Sequence, residues 1–432
     1  MTERASRGYP SQSATLTALP RGEPSIELKK TKERALLQGA NIMPKLNLTI
    51  PEGTRDLLYR EARLYDAVCD DFNSVYENAG FSRISTPAVE NYDLFAKVNP
   101  SLKEENIYKL TDNTGRLLVI RPDNTTPIAR VVATKLKNAP LPQKLYYNQH
   151  IYRVNNDYSG MRNEVLQSGI ELVGVGGFKS DLLCITTALD TLKTLGLNFK
   201  LEIGHVGYFN ALVSKMDLTD DEIMTVRSFV EAKNFVSLGM FDKNLQNDVI
   251  RKLPLLYGNE EVFDKAAELA GGNTDALAAL DYVRSLYTAL CAAGYGDCIM
   301  VDMSMVHKFD YYTGTVMRGY IDRAGEPVLK GGRYDKLLCQ FDYDVPATGF
   351  AINVCAVCDA LIKSGKLPET KAADAIVFFD TNSLGEAIKL KNSYAEDGKV
   401  CEMSVFDTLE ATEAYAKAMN IGKVIDLTGG AK

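Results

Sequence analysis

Two polar side chains on one predicted strand are the residues that point most directly to chemistry. The segment 164–173 alternates as a strand does, and Gln167 and Glu171 stand four positions apart in it. Because successive side chains of a strand point to opposite faces, these two share one face. A glutamine beside a carboxylate suits a small cationic ligand. An amphipathic strand with its polar face in water is the alternative, and alternation by itself favours that interpretation.

A second polar pair follows a predicted hairpin over residues 107–120. The next residues, 121–125, are Arg-Pro-Asp-Asn-Thr. If they form a strand end, Asp123 and Thr125 share a face and can contact a ligand. Proline, aspartate and asparagine also favour turns, so a purely structural turn explains the segment equally well.

The predicted elements around these residues indicate how they are positioned. One strand over 145–153 ends in Arg153, and a polar loop over 154–163 connects it to the strand with Gln167 and Glu171. Further strands are predicted over 81–87, 199–206, 299–304, 313–321 and 327–329. Helices are predicted before Gly80 and over 180–195 and 353–362, and residues 347–352 lead into the last of them.

Residues 215–295 are predicted to be mostly helical. Thr219 and Glu222 have the spacing of a capping box, and Thr274 is expected to cap the last helix of this segment. The tail, 374–432, has the pattern of a β-α-β-α-β unit, for which right-handed crossovers are expected.

Composition argues against several classes of protein. The net charge of −7 over 432 residues provides no global basic field for a nucleic acid. The apolar runs are too short to span a bilayer.

The eight cysteines are scattered and no secretory signal is present, which predicts reduced thiols in a cytoplasm. Cys355 and Cys358 form one CxxC, which is interpreted as two small residues on a helix rather than a zinc or redox site.

Six short motifs together resemble the catalytic core of histidyl-tRNA synthetase, a class II synthetase, over roughly residues 46–362. They are FSRISTP at 81–87, RPDNT at 121–125, YR at 152–153, QSGIELVG at 167–174, DYYTG at 310–314 and GGRYD at 331–335.

The resemblance implies an α+β fold, in which an antiparallel sheet is flanked by helices and 215–295 is a helical insertion. The expected organisation is a disordered extension at 1–45, the core at 46–362, a linker at 363–373, and a small βαβαβ domain at 374–432 that resembles a shortened anticodon-binding domain.

The resemblance also implies a binding site for free histidine. Its ammonium group needs oxygen acceptors, and its imidazole N–H groups need a carboxylate or a phenol. The positions that hold the amino acid in that family carry suitable groups in this chain. They are Asp123, Thr125, Gln167, Glu171, Tyr311 and Tyr312.

The ATP-binding part of the family pattern is mostly absent. Adenylate formation concentrates negative charge, so the site needs several fixed guanidinium groups. Arg153 is kept and is a possible anion contact, while Arg162 is displaced from the pattern. Uncharged residues occupy the other positions where the family has charged groups. They are Asn155, Asn156, Met161, Asn163, His307 and Ala356.

A chain that keeps the histidine site and lacks the ATP site resembles the regulatory subunits of ATP phosphoribosyltransferase, which are not enzymes themselves. This resemblance implies a cytoplasmic hetero-octamer with a short-form catalytic subunit, histidine as the feedback ligand in the first step of histidine biosynthesis, and neither cofactor nor metal. A divergent histidyl-tRNA synthetase and a tRNA-sensing relative are the alternatives. The acidic balance of the chain argues against tRNA binding.

Overall fold

The computed structural model describes residues 46–98, 104–155, 161–241, 248–306, 312–369 and 372–429. The chain divides into two compact units, 1–51 and 52–432, and the fold below is that of the second unit. The predicted disordered extension at 1–45 lies outside the described residues, as do Tyr311, His307 and Asn156.

The described residues form fifteen β-strands and thirteen α-helices. The strands are β1 (Ser82–Arg83), β2 (Val89–Asn91), β3 (Lys109–Thr111), β4 (Leu117–Ile120), β5 (Gln143–Tyr152), β6 (Glu164–Val173), β7 (Phe199–His205), β8 (Tyr257–Gly258), β9 (Ile299–Asp302), β10 (Thr315–Ile321), β11 (Leu329–Arg333), β12 (Ala347–Asn353), β13 (Ala375–Phe378), β14 (Cys401–Met403) and β15 (Val424–Asp426). The helices are α1 (Arg60–Asn78), α2 (Tyr92–Val98), α3 (Thr125–Thr134), α4 (Phe178–Thr194), α5 (Val206–Val213), α6 (Asp220–Glu231), α7 (Phe235–Phe241), α8 (Asp248–Lys252), α9 (Glu261–Ala270), α10 (Thr274–Ala292), α11 (Val354–Lys363), α12 (Leu384–Glu396) and α13 (Leu409–Ala418).

Nine strands form the central sheet in the order β1-β5-β6-β12-β11-β10-β7-β9-β8. Most neighbours are antiparallel, and the pairs β1/β5 and β7/β9 are parallel. The sheet agrees with the predicted α+β architecture, and the FSRISTP segment lies at its edge as its proline indicates. The strands β13, β14 and β15 form a separate parallel sheet, and β2, β3 and β4 form a third one.

The two faces of the central sheet are covered differently. On one face, α1 packs its buried residues Leu64 and Phe72 in the same core as Tyr146 and Ile170 of the sheet. The neighbouring residue Tyr147 belongs to a second core, which α3 covers on the opposite face. Glu171 alternates with Ile170 and therefore also points to this second face, beside the part that α3 covers.

Several local predictions are wrong. The residues 121–125 do not extend a strand, because β4 ends at Ile120 and a turn leads directly into α3, which the sequence analysis did not predict. The first three residues of α3 are Thr125, Thr126 and Pro127. Proline is tolerated in the first turn of a helix because the backbone N–H groups there have no partner within the helix. The GGR segment lies inside β11 rather than after it.

Helix caps and the cysteine pair test finer predictions. The capping box of Thr219 and Glu222 is present at the start of α6. Asn273, not Thr274, caps α10, and its side chain accepts bonds from two backbone N–H groups. Cys355 and Cys358 lie buried on α11, as two small residues of a helix. Among the described residues, no helix combines the length and the apolar character needed to cross a bilayer.

Candidate ligand-binding site

The Glu171 side chain lies over glycine residues of the neighbouring strands. Its neighbour in register is Gly349 of β12, and the neighbour of Gly349 is Gly332 of β11. A Cβ atom on Gly349 would lie 2.2 Å from Glu171 Oε2, so any larger residue there would displace the carboxylate. Glycine at this position therefore lets the Glu171 side chain extend along the sheet.

Burial dominates the electrostatics of Glu171, whose side chain is only 2% exposed. Burial raises the pKa of the carboxyl to about 8, although hydrogen bonds from the Tyr334 and Thr125 hydroxyls oppose the shift. The nearby Asp123 raises the pKa further. Without a ligand, the carboxyl is therefore mostly protonated at neutral pH. A cationic group beside it would stabilise the ionised form.

Asp123 serves the fold as well as the site. Its carboxylate accepts bonds from the backbone N–H and the hydroxyl of Thr126, at 2.8 and 3.1 Å, and so caps the first turn of α3. Burial raises the pKa of Asp123, while the bonds from Thr126 and the charge of Arg153 lower it. This helix start also places Thr125 beside Glu171.

Gln167 is held by a network of amide side chains. Asn124 Nδ2 donates to Gln167 Oε1 at 3.2 Å, and Gln149 Nε2 donates to Asn124 Oδ1 at 3.1 Å. Gln149 in turn accepts a bond from the backbone N–H of Thr86, at the end of the FSRISTP segment. The sequence analysis missed Asn124 and Gln149 as supporting residues, although Asn124 lies within the RPDNT motif.

The predicted residues are divided between two adjoining spaces. A pocket of about 50 Å³ brings together Thr125, Glu171 and Tyr312, and it also contains Tyr334 from the GGRYD motif. Gln167 instead lines a larger cleft of about 220 Å³. Burial raises the pKa of Tyr312 well above its usual value, so its hydroxyl stays protonated and can donate. The sequence analysis missed Tyr334 as a site residue, although it lies within the GGRYD motif.

Arg153 lines the larger cleft, where its Nε donates to the carbonyl of Pro122 at 2.8 Å. Burial lowers the pKa of this guanidinium, and the charge of Asp123 opposes that effect. Arg162 has a different environment, since it forms an ion pair with Asp359 of α11 at 2.7 Å and donates to the Tyr65 hydroxyl at 3.1 Å. The charge of Arg162 is therefore compensated within the protein.

Two asparagines that replace charged residues of the family pattern now stabilise the loop. Asn163 Oδ1 accepts bonds from the backbone N–H and the side-chain amide of Asn155, both at 3.1 Å. Asn163 Nδ2 donates to the carbonyl of Glu52 at 3.1 Å. These amides are thus occupied by the fold. In the described part of the chain, no group of three or more His, Cys, Asp or Glu side chains is arranged to hold a metal ion.

Comparison with known proteins agrees with this geometry. The model of the histidyl-tRNA synthetase family matches residues 53–357. A histidyl-tRNA synthetase structure from Nostoc sp. PCC 7120 superposes with a TM-score of 0.70 at 20% identity, over 87% of this chain and 90% of that one, which shows a shared fold. A structure described as an ATP phosphoribosyltransferase regulatory subunit/histidyl-tRNA synthetase from Bacillus halodurans C has a TM-score of 0.77 at 29% identity, over 89% of this chain and 99% of that one.

Sequence relatives show to which protein family within this fold the chain belongs. The ATP phosphoribosyltransferase regulatory subunit of Clostridium acetobutylicum is 39% identical over 90% of this chain and 97% of its own length. The protein of the same name from Bacillus cereus strain G9842 is 35% identical over 89% and 93%. This chain belongs to the ATP phosphoribosyltransferase regulatory subunit family. The relatives are named as regulatory subunits, and this name agrees with the uncharged residues that line the cleft at positions where the synthetase pattern has charged groups.

Proposed function

We propose that this chain is the non-catalytic regulatory subunit of an ATP phosphoribosyltransferase and that it binds free L-histidine in the Glu171 pocket. The short-form catalytic subunit is the expected partner, in a hetero-octamer that requires this chain for activity. Histidine bound here would act as the feedback inhibitor of the first step of histidine biosynthesis. The supporting observation is a contrast: the buried Glu171 carboxyl has no cation within ion-pair distance among the described residues, whereas Arg162 is already paired with Asp359.

The pocket chemistry suits an amino acid with two basic groups. The ammonium or the imidazole N–H of histidine can donate to Glu171, and the hydroxyl groups of Thr125 and Tyr312 complete a polar wall. The carboxyl of Asp123 lies close enough to act electrostatically on Glu171. Charge-assisted hydrogen bonds of this kind contribute about 1.5–3 kcal/mol each, enough for selective binding of a small ligand.

Binding in the pocket can influence the rest of the subunit through contacts that begin at Tyr334. The preceding residue, Arg333, forms a buried ion pair with Asp181 at the start of α4. Tyr282 of the insertion helix α10 donates to the same carboxylate at 2.8 Å. A feedback effect needs a coupling free energy of only about 1–3 kcal/mol between the histidine site and the partner.

Reconstitution with a short-form catalytic subunit tests the proposed function. Addition of the purified chain should activate the partner, and histidine should then inhibit the complex. In the isolated chain, titration calorimetry with histidine should give heat that Glu171→Ala abolishes and that the surface variant Glu413→Ala retains. An unchanged titration with Glu171→Ala would refute the pocket assignment.

The main competing function, histidine activation, has its own test. A working synthetase exchanges pyrophosphate into ATP in the presence of histidine. We expect no exchange because, among the described residues, the cleft offers only Arg153 and an Arg162 that is paired with Asp359, too few guanidinium groups to stabilise the transition state. Histidine-dependent exchange above the background of a Glu171→Ala control would overturn the regulatory assignment.

A further inference from the structure

Lys330 lies at the junction of the pocket and the cleft. It pairs in register with Arg318 of β10 and with Ala351 of β12, so the three side chains share the face of the sheet that carries Glu171. Lys330 and Ala351 line both the 50 Å³ pocket and the 220 Å³ cleft. A ligand that fills both spaces must therefore pass the Lys330 side chain.

Lys330 and Arg153 are the cations of this cleft that have no carboxylate within ion-pair distance in the described part of the chain. Arg318, by contrast, lies 3.6 Å from Glu231 and donates to the carbonyl of Val306. Burial lowers the pKa of Lys330, and the charge of Arg318 adds to the effect, whereas Glu326 at the cleft opposes it. Two charged side chains that reach solvent at the mouth of a cleft, without carboxylate partners, indicate a site for an anion.

We propose that Lys330, together with Arg153, binds the carboxylate of the amino acid whose basic groups contact Glu171. The inference deepens the proposed function and rests on it. Two cations match one carboxylate group, with Asn353 and Gln167 as additional polar groups in the cleft. A triphosphate would need more positive charge than remains, because Arg162 is neutralised by Asp359.

The dimensions of the two spaces support a ligand that spans them. A pocket of about 50 Å³ holds only a few water molecules, which is less than a whole amino acid. The adjoining cleft of about 220 Å³ provides the remaining volume. A zwitterion placed across the junction has its basic end at the buried acid and its acidic end at the lysine. This arrangement distinguishes free amino acids from amines that lack a carboxylate.

Titration calorimetry with matched ligands tests the role of Lys330. L-histidinol carries a hydroxymethyl group in place of the carboxylate, and inorganic pyrophosphate represents the phosphate alternative. The wild-type chain should bind histidine about 10-fold to 100-fold more tightly than histidinol. Lys330→Gln should remove most of the preference for histidine over histidinol, with Arg153 retaining the remainder, while leaving histidinol binding within about 2-fold. Lys330→Arg should retain most of the preference, and Lys336→Gln, which removes an exposed lysine outside the cleft, should retain all of it.

The outcomes separate this inference from the proposed function. If Glu171→Ala abolishes binding of both ligands but Lys330→Gln leaves the preference for histidine intact, the carboxylate assignment is wrong and the pocket assignment stands. If pyrophosphate competes with histidine and Lys330→Gln removes that competition, the cleft is a phosphate site and the inference fails. If neither histidine nor histidinol binds to the wild-type chain, both proposals fail.

Discussion

The hydroxyl of Tyr334, just after β11, donates a hydrogen bond to the carboxyl of Glu171 on β6, across the intervening strand β12. Tyr334 is 3% exposed and Glu171 is 2% exposed, so the bond lies in a sheltered environment. Bonds of this kind favour the ionised form of an acid, and here the bond only partly opposes the effect of burial. The Tyr334 bond therefore keeps the pKa of Glu171 close enough to neutral pH for a cationic ligand to ionise the carboxyl.

Removing this bond should weaken histidine binding. In Tyr334→Phe, the pKa of Glu171 should rise further because only the Thr125 hydroxyl still stabilises the carboxylate. We expect histidine affinity at pH 7.5 to fall by about 10-fold to 100-fold, the equivalent of a lost hydrogen bond to a charged group. Titration calorimetry measures the change, and Tyr415→Phe on the distant helix α13 is the matched control. Unchanged affinity in Tyr334→Phe would show that the bond does not prepare the site.

Histidine binding should depend on pH through Glu171. With the pKa of the free site at about 8, the carboxyl must lose a proton before it can pair with the ligand's ammonium group. Affinity should therefore fall as the pH is lowered from 8 to 7, approaching 10-fold per unit. Over this range the imidazole of free histidine is mostly neutral and its ammonium group is mostly charged, so the protein residue dominates the trend.

The coupled proton is measurable directly. Calorimetry in buffers with different ionisation enthalpies should detect proton release on binding near pH 7, and Glu171→Gln should abolish both the release and whatever pH dependence remains. Net proton uptake by the wild-type chain would contradict a raised pKa for Glu171.

Glu171 should also reduce the stability of the ligand-free chain at high pH. Its folded-state pKa of about 8 lies above the usual value near 4.3 of an unfolded chain. Below the unfolded-state pKa, Glu171 is protonated in both states and does not lower the free energy of unfolding. As the pH rises through the folded-state pKa, the free energy of unfolding falls because the folded protein must bury the charged carboxylate. Glu171→Gln should therefore raise the free energy of unfolding at pH 8.5 by several kcal/mol, on the order of 5, and at pH 5 by only about 1 kcal/mol.

Urea denaturation at the two pH values measures this difference. Glu413→Gln, an exposed residue of α13, provides the control and should have little effect at either pH. An equal effect of Glu171→Gln at both pH values would mean that the carboxyl is ionised throughout.

The buried pair of Arg333 and Asp181 should be critical for folding. Asp181 also accepts bonds from the hydroxyls of Tyr282 and Thr315, and in Asp181→Asn the buried Arg333 would keep only the more exposed Asp335 as an ion-pair partner. We expect a loss of about 3–5 kcal/mol in the free energy of unfolding. Asp93→Asn, which breaks the exposed pair with Lys97, should cost less than about 1 kcal/mol. Similar losses in the two variants, measured by urea denaturation, would contradict the importance of the buried pair.

Sequence reasoning placed the central strands and the shared face of Gln167 and Glu171, because alternation is a local property of a strand. Helix α3 was missed because the β-branched residues at its start and the proline in its first turn are weak helix signals. The Arg162–Asp359 pair joins residues 197 positions apart, and no local pattern indicates such a contact. Lys330 was overlooked for a similar reason, since its significance comes from its register with Arg318 and Ala351.

The engagement of Arg162 with Asp359 has a consequence for any molecule that enters the pocket. Because the described residues do not gather a guanidinium cluster for a nucleotide, we expect a histidine molecule bound there to leave chemically unchanged. A regulatory subunit of that kind would follow the histidine concentration, and its effect on the partner would reverse when that concentration falls.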